Sequence, residues 1–265
     1  MTFLGLAPTH DDLSQVKYLF TDIDDTLTTH GRLLPQTYQA LWDLHDAGIA
    51  IVPVTGGSAG WCEHIVRAWP VAAVIGESGA FALTNTASGV VFDYWDNEAA
   101  QIERQSQHLA AITSLLGDAF QVAHDQPFRL ADVAIDIGGK SRRDVDALAA
   151  NIRAIGGTVA ISSIHINSWI GSYDKRAMSE RLLQKLFAVS AEQLPVQTAF
   201  VGDSRNDAPM FGYVRNSFGV SNIVPILEDL PAKPKWISAQ PAGLGFVDIA
   251  AALLEAKSAQ RTMAS

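Results

Sequence analysis

The chain has 265 residues, room for one large domain or two modest ones, and 48% of them are hydrophobic, enough for a sizeable core. Charged residues make up 18%, which argues against a disordered chain. Lysine and arginine total 19 against 28 aspartates and glutamates, a net charge of −9 that disfavours nucleic acid and anionic membranes as partners.

The single cysteine, Cys62, allows no intramolecular disulfide and no tetrahedral thiolate zinc site, and it reads as a buried filler. Met1 to Asp12 lacks the basic and apolar regions of a secretory signal. No window approaches the length of apolar sequence that spans a bilayer. The expectation is a cytoplasmic protein, a monomer or small homo-oligomer, without a membrane partner.

In chain order, Val16–Phe20 is a short apolar run that predicts a strand ending in a cluster of Asp and Thr. Gln36–Asp46 carries Tyr38, Leu41 and Trp42 at helical spacing, with Leu44 beside them, and Gly48 closes it. Ile49–Val54 predicts a second strand, running into Thr55-Gly56-Gly57. Cys62–Trp69 reads as a helix stopped by Pro70, and Val71–Ile75 as a third strand. Three β-rich runs joined by helices predict an α/β fold, with a parallel sheet covered on both faces.

The pattern then changes. Ala80–Thr84 and Gly89–Trp95 predict a hairpin around Asn85–Ser88. Glu98–Leu116 predicts a long amphipathic helix with Ile102, Leu109, Ile112 and Leu116 on one side. Asp132–Ile137 predicts a strand with Asp at alternate positions, Asp144–Ile155 a helix, and Thr158–Asn167 a half-exposed strand. This α+β stretch, 97–169, reads as a domain inserted into a core made of 1–96 and 170–265. The α/β style resumes with a helix over Asp174–Phe187, Asp174 as its N-cap and Met178, Leu182, Leu183 and Leu186 inward. Thr198–Val201 and Phe218–Val220 predict strands, and Gly245–Ala256 a closing helix.

Four sets of residues carry chemistry, each just past an expected strand end or at a helix start, where α/β sheets keep their ligands. In Asp22-Ile23-Asp24-Asp25-Thr26, Asp22 and Asp24 share one side of an extended segment. Carboxylates that close repel unless one is protonated or a cation intervenes, and a hard divalent cation suits them. Thr55-Gly56-Gly57 offers a hydroxyl and two unhindered N–H groups, a cradle for an oxyanion. Lys175 opens a helix, where a cation opposes the macrodipole unless an anion sits there. In Gly202-Asp203-Ser204-Arg205-Asn206-Asp207, Asp203 and Asp207 are spaced to reach one side of a helix start.

Together and in this order, these residues resemble the motifs of the haloacid dehalogenase superfamily of phosphohydrolases. The long insertion between Thr55 and Lys175 is similar to the large cap of its type IIB members, such as the Cof-type, sucrose-phosphate and mannosyl-3-phosphoglycerate phosphatases and eukaryotic phosphomannomutase. The resemblance implies a Rossmann-like core with an inserted cap that chooses the substrate. It implies a Mg²⁺-dependent phosphatase acting on a small phosphorylated metabolite, with a sugar phosphate favoured. Asp22 would be the nucleophile and Asp24 the general acid and base. Mg²⁺ would be held by Asp22, the Asp24 carbonyl and Asp203, with Asp207 helping. Thr55, Gly56, Lys175 and Asn206 would hold the phosphoryl group. One departure is Asp25, where many members have Gly.

Candidate substrate residues are Glu77, after the third strand, and His165 and Asn167, which share a face of the last cap strand. Arg129, Lys140, Arg142 and Arg143 offer charge for a second anionic group, and Trp61, Trp95 and Trp169 offer rings to stack on a sugar. Asp132 and Asp136 alternate on one strand without a second metal site. A phosphomutase on the same core is the alternative enzyme. A signalling receiver domain fails, because its phosphoacceptor lies on a different strand from its acidic pair and the whole domain is small.

Overall fold

The computed structural model describes the backbone of residues 2–264 and the side chains of residues 2–259. Five parallel strands form the central sheet, in the order Trp236–Ile237, Asn216–Gly219, Thr198–Gly202, Tyr18–Thr21 and Ala50–Pro53. Leu19 pairs with Ala199 and Ile51, and Phe20 with Phe200 and Val52. Side chains alternate across a strand, so these two rows face opposite ways. Leu19, Ala199 and Ile51 join Leu41, Leu44, Phe246, Ile249 and Leu253, from the helices Pro35–Asp46 and Ala242–Ala264. Phe20, Phe200 and Val52 join Met178, Leu182, Leu183, Met210 and Phe211, from Lys175–Phe187 and Ala208–Tyr213. Burial on both faces is why these strands read as continuous apolar runs.

A separate antiparallel sheet has the order Thr158–Ile161, His165–Trp169, Asp132–Asp136, Gln121–Val122. Its inner face, Val133, Ile135 and Ile166, packs with Ile112, Leu116, Val145, Leu148 and Ile152 of the helices Glu98–Leu116 and Arg142–Ala154. The alternate residues Asp132, Asp136, His165 and Asn167 stand on its other face, toward the central sheet.

Several sequence expectations are corrected. The third apolar run is not a full parallel strand: Val74–Gly76 is the edge of an antiparallel sheet with Phe81–Thr86 and Gly89–Tyr94. It meets the parallel sheet through one bridge, Val54 with Ile75, and a further hydrogen bond from the Ala72 N–H to the Ile51 carbonyl. Thr158–Asn167 is a hairpin, not one strand, because Ser162 Oγ accepts the Ile164 and His165 N–H groups and turns the chain. On Glu98–Leu116 the buried stripe contains Gln101 and His108, while Ile102 is 40% exposed. Gln101 Nε2 donates to the Ala80 carbonyl and His108 Nε2 meets Ser168 Oγ at 2.7 Å, so each side chain has a partner inside, although Gln101 Oε1 meets none among the described residues. Leu186 and Trp42 are also exposed. Asp174 does cap its helix, accepting from the Ala177 N–H. Among the described residues no helix is long and apolar enough to cross a membrane.

Candidate active site

Parallel register brings the ends of three neighbouring strands together: Thr21 pairs with Val201 and with Pro53. Asp22 follows the middle strand, Asp203 and Thr55 the strands on either side. The chain after Asp22 folds onto one carbonyl, that of Ile23, which accepts the Thr26, Leu27 and Thr28 N–H groups. Ile23 is fully buried and anchors this turn.

Lys175 Nζ donates to Asp22 Oδ1 at 2.6 Å and to Asp207 Oδ1 at 2.7 Å. Asp207 Oδ2 accepts the Asp203 and Ser204 N–H groups, so both its oxygens are engaged. Thr26 Oγ1 donates to Asp203 Oδ1. Asp22, Asp203 and Asp207 each offer an oxygen, and these lie within 4.8 Å of one another. The Asp24 carboxylate is not in that group. An all-oxygen, buried carboxylate set fits a hard divalent cation such as Mg²⁺.

Burial is the main force on these acids. It pushes Asp22 up to about 8, and Asp207 and Asp24 reinforce the rise against the pull of Lys175. Burial raises Asp24 and Asp203 as well. For Lys175 burial opposes the charged form, but Asp207 and Asp22 outweigh it and hold the ammonium above its ordinary value. Crowded buried carboxylates around one lysine have spare negative charge for a metal.

Asp22 and Asp24 line a cavity of about 140 Å³ with Gly56, Gly57, Trp61, Asp125, Arg129, His165, Asn167 and Asn206. Of the substrate candidates, Arg129, His165 and Asn167 therefore reach the cavity wall. Glu77 does not; it is fully buried, and its carboxylate accepts the backbone N–H groups of Ala59, Leu130, Ala131 and Asp132. Those bonds hold Glu77 and Ser78 at φ of 42° and 61°, a left-handed backbone that is costly outside glycine.

Arg129 is not a free cation. Its Nε and Nη2 donate to Asp125, and its Nη1 to Asp132 and the Gly56 carbonyl. Arg142 is paired with Asp229, which also takes Arg205. His165 Nε2 meets Asp136 Oδ1 at 3.0 Å, which explains the alternation of Asp132 and Asp136: each holds a neighbour on the same face. Trp61 lines the cavity and stacks on His64, whereas Trp95 lies under Arg181 and Trp169 is buried against Tyr173.

The sequence reading missed Asp25 as a contact. Its φ of 55° is why glycine suits that position. Aspartate is accommodated there because its N–H donates to Thr28 Oγ1, its carbonyl accepts from Asn222 Nδ2, and its carboxylate accepts from Ser163 Oγ in the Ser162–Ile164 turn. The departure from glycine was the available signal.

No protein-family model and no curated protein matches the chain. Solved structures do. The Thermoplasma acidophilum protein 0175 is similar at TM-score 0.69 and 16% identity, over 90% of this chain and 98% of that one. A sugar phosphatase of haloacid dehalogenase subclass IIB is similar at TM-score 0.61 and 14% identity, over 89% and 96%. The sucrose-phosphatase of Synechocystis, solved with sucrose and phosphate, is similar at TM-score 0.63 and 16% identity, over 90% and 98%. The chain therefore shares the fold of these structures, a Rossmann-like α/β core with a separate α+β sheet unit.

Proposed function

We propose that the protein is a Mg²⁺-dependent phosphatase of a small metabolite, a sugar phosphate, with 97–169 acting as the cap over its site. The observation that carries this reading is the buried Asp22–Lys175–Asp207–Asp203 cluster, whose Asp22 lines, with Asp24, a cavity walled by Arg129, His165 and Asn167 of the inserted unit. Asp22 Oδ attacks phosphorus and the bond to the leaving oxygen breaks, giving an aspartyl phosphate. Asp24 gives its proton to the leaving alkoxide, then takes one from the water that attacks the same phosphorus and releases phosphate. Burial raises the Asp24 carboxyl above its ordinary value, the direction that favours a proton donor. Thr55, the Gly56 N–H, Lys175 and Asn206 hold the phosphoryl oxygens.

Asp22, Asp203 and the Asp24 carbonyl would hold Mg²⁺, while Asp207, with both oxygens engaged, orients Lys175 and the 203–204 backbone. When bound, the ion supplies charge that offsets the phosphoryl oxygens and the surrounding carboxylates. The guanidinium on the cavity wall, Arg129, is already paired with Asp125 and Asp132, and the His165 imidazole is hydrogen-bonded to Asp136. That supports an uncharged leaving group and hydrolysis over a mutase that must seat a second phosphate.

The test is phosphate release from an aryl phosphate and a panel of sugar phosphates, with Mg²⁺ and with EDTA. Mg²⁺-dependent release is expected, and kcat/KM ranks the leaving groups. Isomerisation of a hexose phosphate without free phosphate would overturn the reading in favour of a mutase. Absence of both reactions would overturn it outright.

A further inference from the structure

We infer that Arg129, Asn167 and Asp132, all in the inserted unit, are positioning residues that complete the loop Thr55-Gly56-Gly57, so that the loop is fully built only with the cap seated. The inference rests on reading that loop as the phosphate cradle.

The three loop carbonyls are held differently. The Thr55 carbonyl accepts from the Ser78 N–H and the Gly57 carbonyl from the Glu77 N–H, both in the core. Among the described residues the Gly56 carbonyl accepts only from the inserted unit: Arg129 Nη1 at 2.7 Å and Asn167 Nδ2 at 3.0 Å. One carboxylate fixes both donors, Asp132 Oδ1 taking Arg129 and Oδ2 taking Asn167, each at 2.8 Å. With its carbonyl held on that side, the Gly56–Gly57 peptide turns its N–H to Thr55 Oγ1 at 2.9 Å. Among the described residues the Gly56 N–H meets no protein acceptor, which leaves it for an oxyanion.

The approach is close. A Cβ on Gly56 would stand 2.9 Å from Asn167 Oδ1, so glycine is what lets this side chain reach the loop. Arg129, Asp132 and Asn167 are 5%, 0% and 3% exposed. A buried ion pair is a poor stabiliser of a fold and a good fixer of geometry, provided its hydrogen bonds are satisfied. Four of the five guanidinium donors of Arg129 are engaged, so its task is to hold the peptide rather than substrate. Lifting the inserted sheet would expose the Gly56 carbonyl and free its peptide, which ties phosphate affinity to cap closure.

The full-length Asn167→Ala variant tests this, with Arg129→Lys beside it; Asn167→Ala removes a neutral group and leaves the Arg129–Asp132 pair in place. Inorganic phosphate binding is measured by calorimetry with Mg²⁺, kcat/KM for at least three leaving groups, and amide hydrogen exchange at Gly56 and Gly57. Loss of one hydrogen bond to a buried carbonyl should weaken phosphate about tenfold. It should also lower kcat/KM by the same factor for every leaving group and speed exchange in the loop. Unchanged phosphate affinity, with losses that follow the leaving group, would make Asn167 a substrate contact and overturn the inference. A wild-type protein that hydrolyses nothing and binds no phosphate would refute the proposed function instead. Loop exchange in the variant would still read the clamp on its own.

Discussion

Lys175 Nζ lies 2.6 Å from Asp22 Oδ1 across 153 positions of sequence, and the two side chains are 3% and 7% exposed. The lysine also holds Asp207, so one ammonium bridges two buried carboxyl groups and offsets one of their charges. Lys175→Met leaves those carboxylates without their cation. Breaking a buried pair from one side costs about 3–5 kcal/mol. Urea unfolding should show a loss of that size, partly restored by Mg²⁺. An unchanged midpoint would mean that the carboxylates take up protons without penalty.

Asp22→Asn keeps the shape of the side chain and removes the proposed nucleophile. Turnover should fall by at least about a thousandfold, on the scale seen when nucleophiles are removed, while the circular dichroism spectrum stays native. Retained Mg²⁺-dependent turnover would exclude Asp22 as the attacking group.

The metal affinity should depend on pH. Burial, with Asp207 and Asp24, pushes Asp22 to about 8 in the metal-free protein. Below that pH the cation must displace a proton, so affinity falls by up to about tenfold per unit toward pH 6 and levels off above 8. Calorimetry in two buffers of different ionisation enthalpy would count the proton released. The stability of the metal-free protein runs the other way. A folded pKa raised above the ordinary value of 3.8 contributes stability fully present below that value and lost as pH rises through about 8. A flat affinity between pH 6 and 8 would contradict the shift.

Gly202 stands against Asp207: a Cβ there would lie 2.5 Å from Asp207 Oδ2 and 2.6 Å from its Cγ. Gly202→Ala must push the carboxylate off the Asp203 and Ser204 N–H groups. Overpacking of this kind costs about 1–3 kcal/mol, and displacement of Asp207 should also weaken Mg²⁺. Thermal unfolding with and without Mg²⁺ reads both effects.

Glu77→Gln separates support from chemistry. The amide turns an N–H toward backbone donors that need acceptors: Ala59, Leu130, Ala131 and Asp132. A buried donor left unsatisfied costs about 1–3 kcal/mol, so urea unfolding should show a loss of that order. Wild-type stability in this variant would mean that the protonated acid already fills the site.

Some of this was legible from the chain alone. Leu19 and Phe20 sit in a continuous apolar run because both faces of their strand are buried, and such runs survive in one dimension. Asp22, Thr55, Lys175 and Asp203 could be placed because each follows a strand or opens a helix. Local sequence placed Ile112 and Leu116 in the buried stripe of Glu98–Leu116 and missed Gln101 and His108, whose Nε2 atoms find the Ala80 carbonyl and Ser168 only in the fold.

The roles of the inserted residues lay outside that reach. Arg129 read as a free cation and Asn167 as a substrate contact until the fold brought Gly56 between them, 73 and 111 positions away. What the sequence by itself determined was periodicity, and with it the elements and the residues at their ends. Tertiary structure decided the partners, because a hydrogen bond depends on distance and direction between groups that only packing brings together.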